Sequence, residues 1–180
     1  MPLGQFRASY GGGRKHLANL SIAALEALRD LLIKPGGLND QAYAIAVRDM
    51  VRIPEIKPEQ VLIRHTDIAL ASAATIVQFP AVYLYCVRIE NSMDSKFREF
   101  SGRVVLVAEV RVSGRSVRGL DLYASRLAEA VMNVLAANRG KWTGACAFDG
   151  RFDITFDPVE EGGINFIQTA RVEIELIAAA

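Results

Sequence analysis

The run Arg103-Val104-Val105-Leu106-Val107-Ala108-Glu109-Val110-Arg111-Val112 decides the fold, together with the segment Leu120-Asp121-Leu122-Tyr123-Ala124-Ser125-Arg126-Leu127 that follows it past Gly114. In the first run the period is two. Val104, Leu106, Val110 and Val112 fall on one face, while Arg103, Glu109 and Arg111 mark the other. Val105 and Val107 leave that second face only partly polar, so the spacing predicts a strand from Phe100 to Val112 that is covered on more than one side. In the second segment the period lengthens, and a helix is predicted over 117–138. Leu120, Tyr123, Ala124, Leu127, Val131, Val134 and Leu135 form its apolar stripe, opposite Arg118, Asp121, Ser125 and Glu129. Asn138-Arg139-Gly140 stops it.

Working outward, Val82–Val87 alternates in the same way and reads as a strand covered on both faces. A polar stretch, Glu90–Glu99, separates it from the next strand as a loop or protruding hairpin tip. After the helix, Phe152, Ile154 and Phe156 alternate with Arg151, Asp153, Thr155 and Asp157. Beyond the turn at Pro158–Gly163, Ile164, Phe166, Ala170, Val172, Ile174 and Leu176 share one face. Upstream, Leu17, Leu20, Ala24, Leu28 and Leu31 recur at helical spacing until Pro35-Gly36-Gly37. Residues 39–80 are less regular. Asn39-Asp40 could cap a helix carrying Tyr43, Ala46, Val47 and Met50, but Pro54 and Pro58 then break the chain, and 39–80 is expected to be an irregular, insertion-like region. Residues 1–16, with three consecutive glycines, read as a flexible arm. The expected fold class is therefore α+β, a mainly antiparallel sheet with helices packed on one face, in the order α, irregular region, β-β-α-β-β, within one domain over 17–180.

Composition narrows the function classes. The chain has 180 residues, 51% hydrophobic and 23% charged, with a formal net charge of +1. That composition excludes a disordered chain, a coiled coil and a collagen-like fibre, and the near-neutral charge argues against a surface built to grip nucleic acid. Mean hydropathy is +0.20, oilier than a monomer of this length requires. Ile68–Val87 has no charged residue over a length that could span a membrane, but Gln78 and Phe79-Pro80 interrupt it, and its second half suits a strand. Cys86 and Cys146 read as buried free thiols.

Motifs for chemistry are sparse. Gly11-Gly12-Gly13-Arg14-Lys15-His16 lacks the spacing and the preceding strand of a phosphate loop. His16, His65, Cys86 and Cys146 are too scattered to hold zinc. His65 beside Asp67 reads as an exposed polar bend, and Asp149, Asp153, Asp157, Glu160 and Glu161 have the spacing of a strand's solvent face and its turn. No metal or cofactor is expected, and no catalysis.

Charge is nevertheless divided. Arg88, Lys96, Arg98, Arg103, Arg111, Arg115 and Arg118 outnumber the acids between positions 88 and 118 to leave net +3, whereas Asp149–Glu175 is net −5. Arginine is the cation favoured at protein interfaces. Head-to-tail association follows as an expectation, the basic strand of one subunit facing the acidic hairpin of the next. Its contact residues would be Lys96, Phe97, Arg98, Arg111, Arg115 and Arg118 against Asp153, Asp157, Glu160 and Glu161. Such a heterologous contact can close into a ring.

The leading helix, the strand entry Phe79-Pro80-Ala81-Val82, the hairpin, the long amphipathic helix and the final pair with Ile164-Asn165-Phe166 and Arg171-Val172-Glu173-Ile174-Glu175-Leu176 together resemble the tail terminator proteins of tailed bacteriophages, also called tail-completion or head–tail joining proteins. The resemblance is one of pattern and spans residues 17–34 and 79–178. It implies a non-enzymatic virion protein of the neck or tail, assembled in the host cytoplasm. It also implies a ring, typically hexameric, that caps the tail tube and joins it to the head connector. Its partners would be further copies of itself, the tube protein and the connector, with DNA passing through the lumen unread and no membrane involved. By position, Asn91–Phe100 and Met1–Gly13 would be contact elements. Two alternatives stand beside it: another oligomeric neck or minor tail protein, and a small oligomeric enzyme with an active site between subunits.

Overall fold

A computed structural model describes residues 12–64, 78–92 and 100–179, with side chains from Asn19 onward. The predicted strand at Phe100–Val112 is the middle of its sheet. As β3 it runs Ser101–Gly114, pairing antiparallel with β2 (Ala81–Asn91) on one side and with β7 (Asn165–Ala179) on the other. Outside β2 lies β1 (Val61–Ile63), which runs parallel to it. Beyond β7 come β5 (Cys146–Phe156) and the two-residue β4 (Gly140–Lys141), while β6 (Glu160–Gly162) pairs with the start of β7. The sheet is mixed and strongly curled, and with its helices it makes an α+β fold. At the Asn91–Gly102 pairing the strands approach so closely that a Cβ on residue 102 would collide with the Glu90 carbonyl, so only glycine fits there.

Among the described residues, three helices cover one face: α1 (Gly12–Ile33), α2 (Leu38–Asp49) and α3 (Leu120–Ala137). Val104, Leu106, Ala108, Val110 and Val112 of β3 join Val82, Leu84, Val172, Ile174 and Leu176 under the α3 residues Ala124, Leu127, Val131, Val134 and Leu135. All of these are effectively without solvent contact. Alternation on the strands and a 3.6-residue stripe on the helix meet in one core, and burial at about 25 cal/mol per Å² drives their union.

Several boundaries depart from expectation. The helix read from Leu17 begins at Gly12, so the flexible-arm reading of 1–16 is corrected over 12–16, where Gly12 and Gly13 are helical. Residues 1–11 lie outside the described part. The insertion-like reading of 39–80 is corrected over residues 39–64. There α2, a short 3₁₀ turn (Pro58–Gln60) and β1 bury Ala42, Ile45, Ile56 and Val61 in the main core. Helix α2 also presents the other stripe from the one expected. Leu38, Ala42 and Ile45 face inward, leaving Tyr43 72%, Val47 60% and Met50 93% exposed. Asn39 does not cap it; its side-chain amide instead accepts from the Ile56 N–H and donates to the Ile56 carbonyl, pinning the following segment to the helix. Ile164, expected on a strand face, is in the turn before β7 and is 86% exposed. Cys86 and Cys146 are free thiols, half-buried and buried, and burial raises the pKa of both. Among the described residues no helix is long and apolar enough to cross a membrane.

Helices α2 and α3 are clasped by charge. Arg48 makes a two-pronged contact to Glu129, and Arg126 donates to Asp49 at 2.8 Å. The bonds from Arg48 and Arg126 hold the Asp49 carboxyl at about 2, against an ordinary 3.8. A depressed carboxylate pKa contributes stability that is complete above the unfolded value and is lost as pH falls through the folded one. Asp49→Asn is therefore expected to flatten the dependence of melting temperature on pH between about 4 and 2. If the variant keeps the wild-type slope in that window, the clasp contributes nothing to acid lability.

Candidate subunit interface

The sheet face away from the helices carries the charged residues of β3, β7 and β5. Across it, the register places Tyr83, Glu109, Arg171 and Thr155 in one row, and Tyr85, Val107, Glu173 and Asp153 in the next. Glu109 is 1% exposed and is surrounded by donors. The Tyr85 hydroxyl reaches it at 2.9 Å, Arg111 Nε at 2.6 Å and Arg171 Nε at 3.0 Å, and Arg171 also grips Asp157. Burial, then the adjacent Glu109 carboxylate, pushes the Tyr85 hydroxyl up to about 12. Burial opposes the charge on Arg171, but its bond to Glu109 and the charges of Glu109 and Asp157 together outweigh that and raise its pKa. The guanidinium groups of Arg64 and Arg111 lie 5.3 and 5.4 Å from the centre of the Tyr83 ring, within cation–π range.

This network divides the expected contact residues. Arg111 and Asp157 are engaged inside the chain, Arg111 with Glu109 and Asp157 with Arg171. Arg115 and Arg118 stand exposed in the β3–α3 turn, and Asp153, Glu160 and Glu161 stand exposed on β5 and β6; none of the five makes an ion pair among the described residues. Lys96, Phe97 and Arg98 lie outside the described residues, as do His65, Asp67 and most of the Asn91–Phe100 stretch. The strand order separates the two charge blocks laterally, β2 and β3 on one side of the sheet, β7, β5 and β6 on the other. Asp153 and Glu173 are direct cross-strand partners of like charge, an arrangement that is unfavourable until a cation approaches. Among the described residues no group of His, Cys, Asp and Glu is placed to hold a metal ion.

No family model matches the chain, and no curated protein matches its sequence. The molecule's own surfaces therefore carry the functional argument. The strands that end the sheet, β1 and β4, are so short that most of the outer edge of β2 and of β5 has no strand partner among the described residues. On β2, β1 covers only Val82–Leu84, leaving Tyr85–Glu90 open. On β5, β4 covers only Ala147 and Phe148, leaving Arg151–Phe156 open.

A second surface went unread in the sequence. Gly114 pairs with Phe166, Phe156 pairs with Ala170, and Asp49 meets Arg126, so the ends of β3, β5, α2 and the start of α3 gather at one end of the molecule. Exposed there are Met50, Val117, Leu122, Phe156 and Ile164, half of the large hydrophobic side chains that face solvent among the described residues. Met50 was legible on the apolar stripe expected to face inward and Ile164 as an isoleucine beside a glycine turn, whereas Val117, Leu122 and Phe156 carry no signal beyond their apolar side chains. Each has the composition of a core residue, and only the tertiary packing exposes it.

Proposed function

We propose that the chain is a ring-forming structural subunit of the phage tail terminator kind, which assembles head to tail and presents repeated end surfaces that cap a tail tube and meet the head connector. The observation that carries this reading is the pair of strand edges, on opposite sides of one sheet, that have no strand partner among the described residues. Two unlike, mutually complementary sides produce a heterologous contact, and repetition of that contact about an axis closes a ring. The exposed apolar end containing Met50, Val117, Leu122, Phe156 and Ile164 supports the second part of the reading. It lies at the end of the strands rather than along their sides, where an axial partner would dock once the sides are taken up by neighbours. The function is then geometric: the ring offers a fixed number of equivalent surfaces and halts polymerisation beyond itself.

Sedimentation velocity with negative-stain imaging tests it. The expected result is a closed particle of uniform size, a hexamer of the 19.7 kDa chain. A monomer at micromolar concentration, with no ring even in the presence of tube protein, would overturn the reading.

A further inference from the structure

The two edges without a strand partner among the described residues differ in sequence but match in pattern. Along β5, Asp153 and Thr155 lie on the sheet face away from the helices, where Arg151, inside the register shift, reaches Glu175, and Phe152, Ile154 and Phe156 lie on the helix side. Along β2, Tyr85, Arg88 and Glu90 are on the face away from the helices, and Cys86 and Ile89 are on the helix side. Within one chain, three successive antiparallel pairings separate β2 from β5, so the two strands run in opposite directions. A copy rotated about an axis along the strands therefore brings its β2 antiparallel to β5.

We propose that the open edge of β5 is completed by the open edge of β2 from a second copy of this chain, in the register that sets Arg151 against Glu90, Phe152 against Ile89 and Asp153 against Arg88. This rests on the head-to-tail reading above. In this register each charge meets its opposite and the apolar side chains meet on the helix side. Cross-strand pairs of these kinds are the stabilising unit of a sheet. Shifting by one residue would turn Phe152 toward a charged position and lose both ion pairs.

Present partners do not stand in the way. The Arg88–Glu90 contact joins side chains that are 55% and 46% exposed, and Arg151, 63% exposed, reaches Asp149 at 3.2 Å and Glu175 at 3.3 Å, which are 29% and 24% exposed. Pairs this open to water exchange at little cost. Asp153 makes no ion pair among the described residues and faces the like-charged Glu173, so an incoming Arg88 relieves a repulsion that the single chain does not. Register shifts between Cys86 and Arg88 in β2, and between Phe148 and Phe152 in β5, limit the pairable stretch at one end of each edge. Bulges of this sort prevent open-ended edge aggregation and leave a short contact of defined register. In a single chain Glu90 and Arg151 line the same open groove of about 550 Å³ and make no ion pair with each other.

Charge exchange tests the register. Arg88→Asp and Asp153→Arg, each alone, set like charges opposite one another and are expected to weaken assembly about tenfold or more in sedimentation. The double variant R88D/D153R restores the attraction with its sign reversed and is expected to assemble nearly as the wild type does. In parallel, Arg88→Cys combined with Asp153→Cys would bring two thiols to a Cα separation of about 4.5–5.5 Å, within disulfide range. Oxidation is expected to give a ladder of cross-linked oligomers on a non-reducing gel, while wild type with Cys86 and Cys146 gives none. Rings that form equally well in the single variants, a double variant that is not rescued, or a bridge formed only within one monomer would overturn the edge pairing and leave the ring reading standing. A wild type that remains monomeric overturns both.

Discussion

Glu109→Ala should lower the unfolding free energy by about 3 kcal/mol, read by denaturant titration at a concentration low enough to exclude assembly. Glu109 is 1% exposed and receives three donors at 2.6–3.0 Å, two of them guanidinium groups. Removing the carboxylate strips Arg111 and Arg171 of their shared counter-charge and leaves the Tyr85 hydroxyl without its acceptor. The cost falls toward the lower part of the range for a broken buried pair because the arginine side chains retain 22% and 38% exposure and can draw in water. For a chain of this length the loss corresponds to roughly 6–12 °C in melting temperature. Tyr85→Phe removes one donor and should cost about 1 kcal/mol. If Glu109→Ala costs no more than Tyr85→Phe, the carboxylate is not the hub of the network.

That hub shows how far the sequence could be read. Val104, Leu106, Val110 and Val112 announced their face of β3 by alternation, and α3 announced its stripe, because in both elements the local period and the tertiary contact agree. Glu109 sat correctly on the opposite face, but nothing local shows that Arg171, 62 residues away, would cover it. The same non-local pairing explains the charge blocks. Their opposite signs were legible; which charges stay unpaired depended on register, which ties up Arg111 and Asp157 and leaves Arg115, Arg118, Asp153, Glu160 and Glu161 exposed.

Helix α2 failed for a different reason. It carries two apolar stripes, and the one chosen from the sequence, Tyr43 with Val47 and Met50, is as regular as Leu38 with Ala42 and Ile45. Only the position of α3 decides between them. Strands β1 and β4, three and two residues long, are too short for any period to be read. Gly12 and Gly13 are poor helix formers that the rest of α1 carries along. The apolar excess noted in the composition has its counterpart in these places: part lies in β3, buried on both faces, and part is exposed at the strand ends.

Phe148→Ala should be the most damaging single truncation at the β5 side of the sheet, about 3–5 kcal/mol. Phe148 is 2% exposed, opposite Leu176 in β7 and Gly140 in β4, with the Trp142 ring 5.3 Å away. Trp142 in turn donates from Nε1 to the Asn138 carbonyl at the end of α3, so one aromatic pair joins α3, β4 and β5. Immediately beyond Phe148 the strand bulges, and Gly150 takes a φ of 108° that a side chain would strain. Past that bulge Phe152 and Ile154 are only half-buried and Phe156 is exposed, so the outer part of β5 depends for its position on the corner that Phe148 anchors. Hydrogen exchange in Phe148→Ala should accordingly accelerate over 146–156 well before β3, whose amides lie between two long strands. Phe156→Ala, at a position that is 50% exposed, should cost under about 1 kcal/mol and serves as the control. At a temperature where Phe148→Ala is still folded, assembly should weaken along with β5, because the edge offered to a neighbour is no longer held in register. Protection over 146–156 that matches the wild type would show that β7 alone positions this edge.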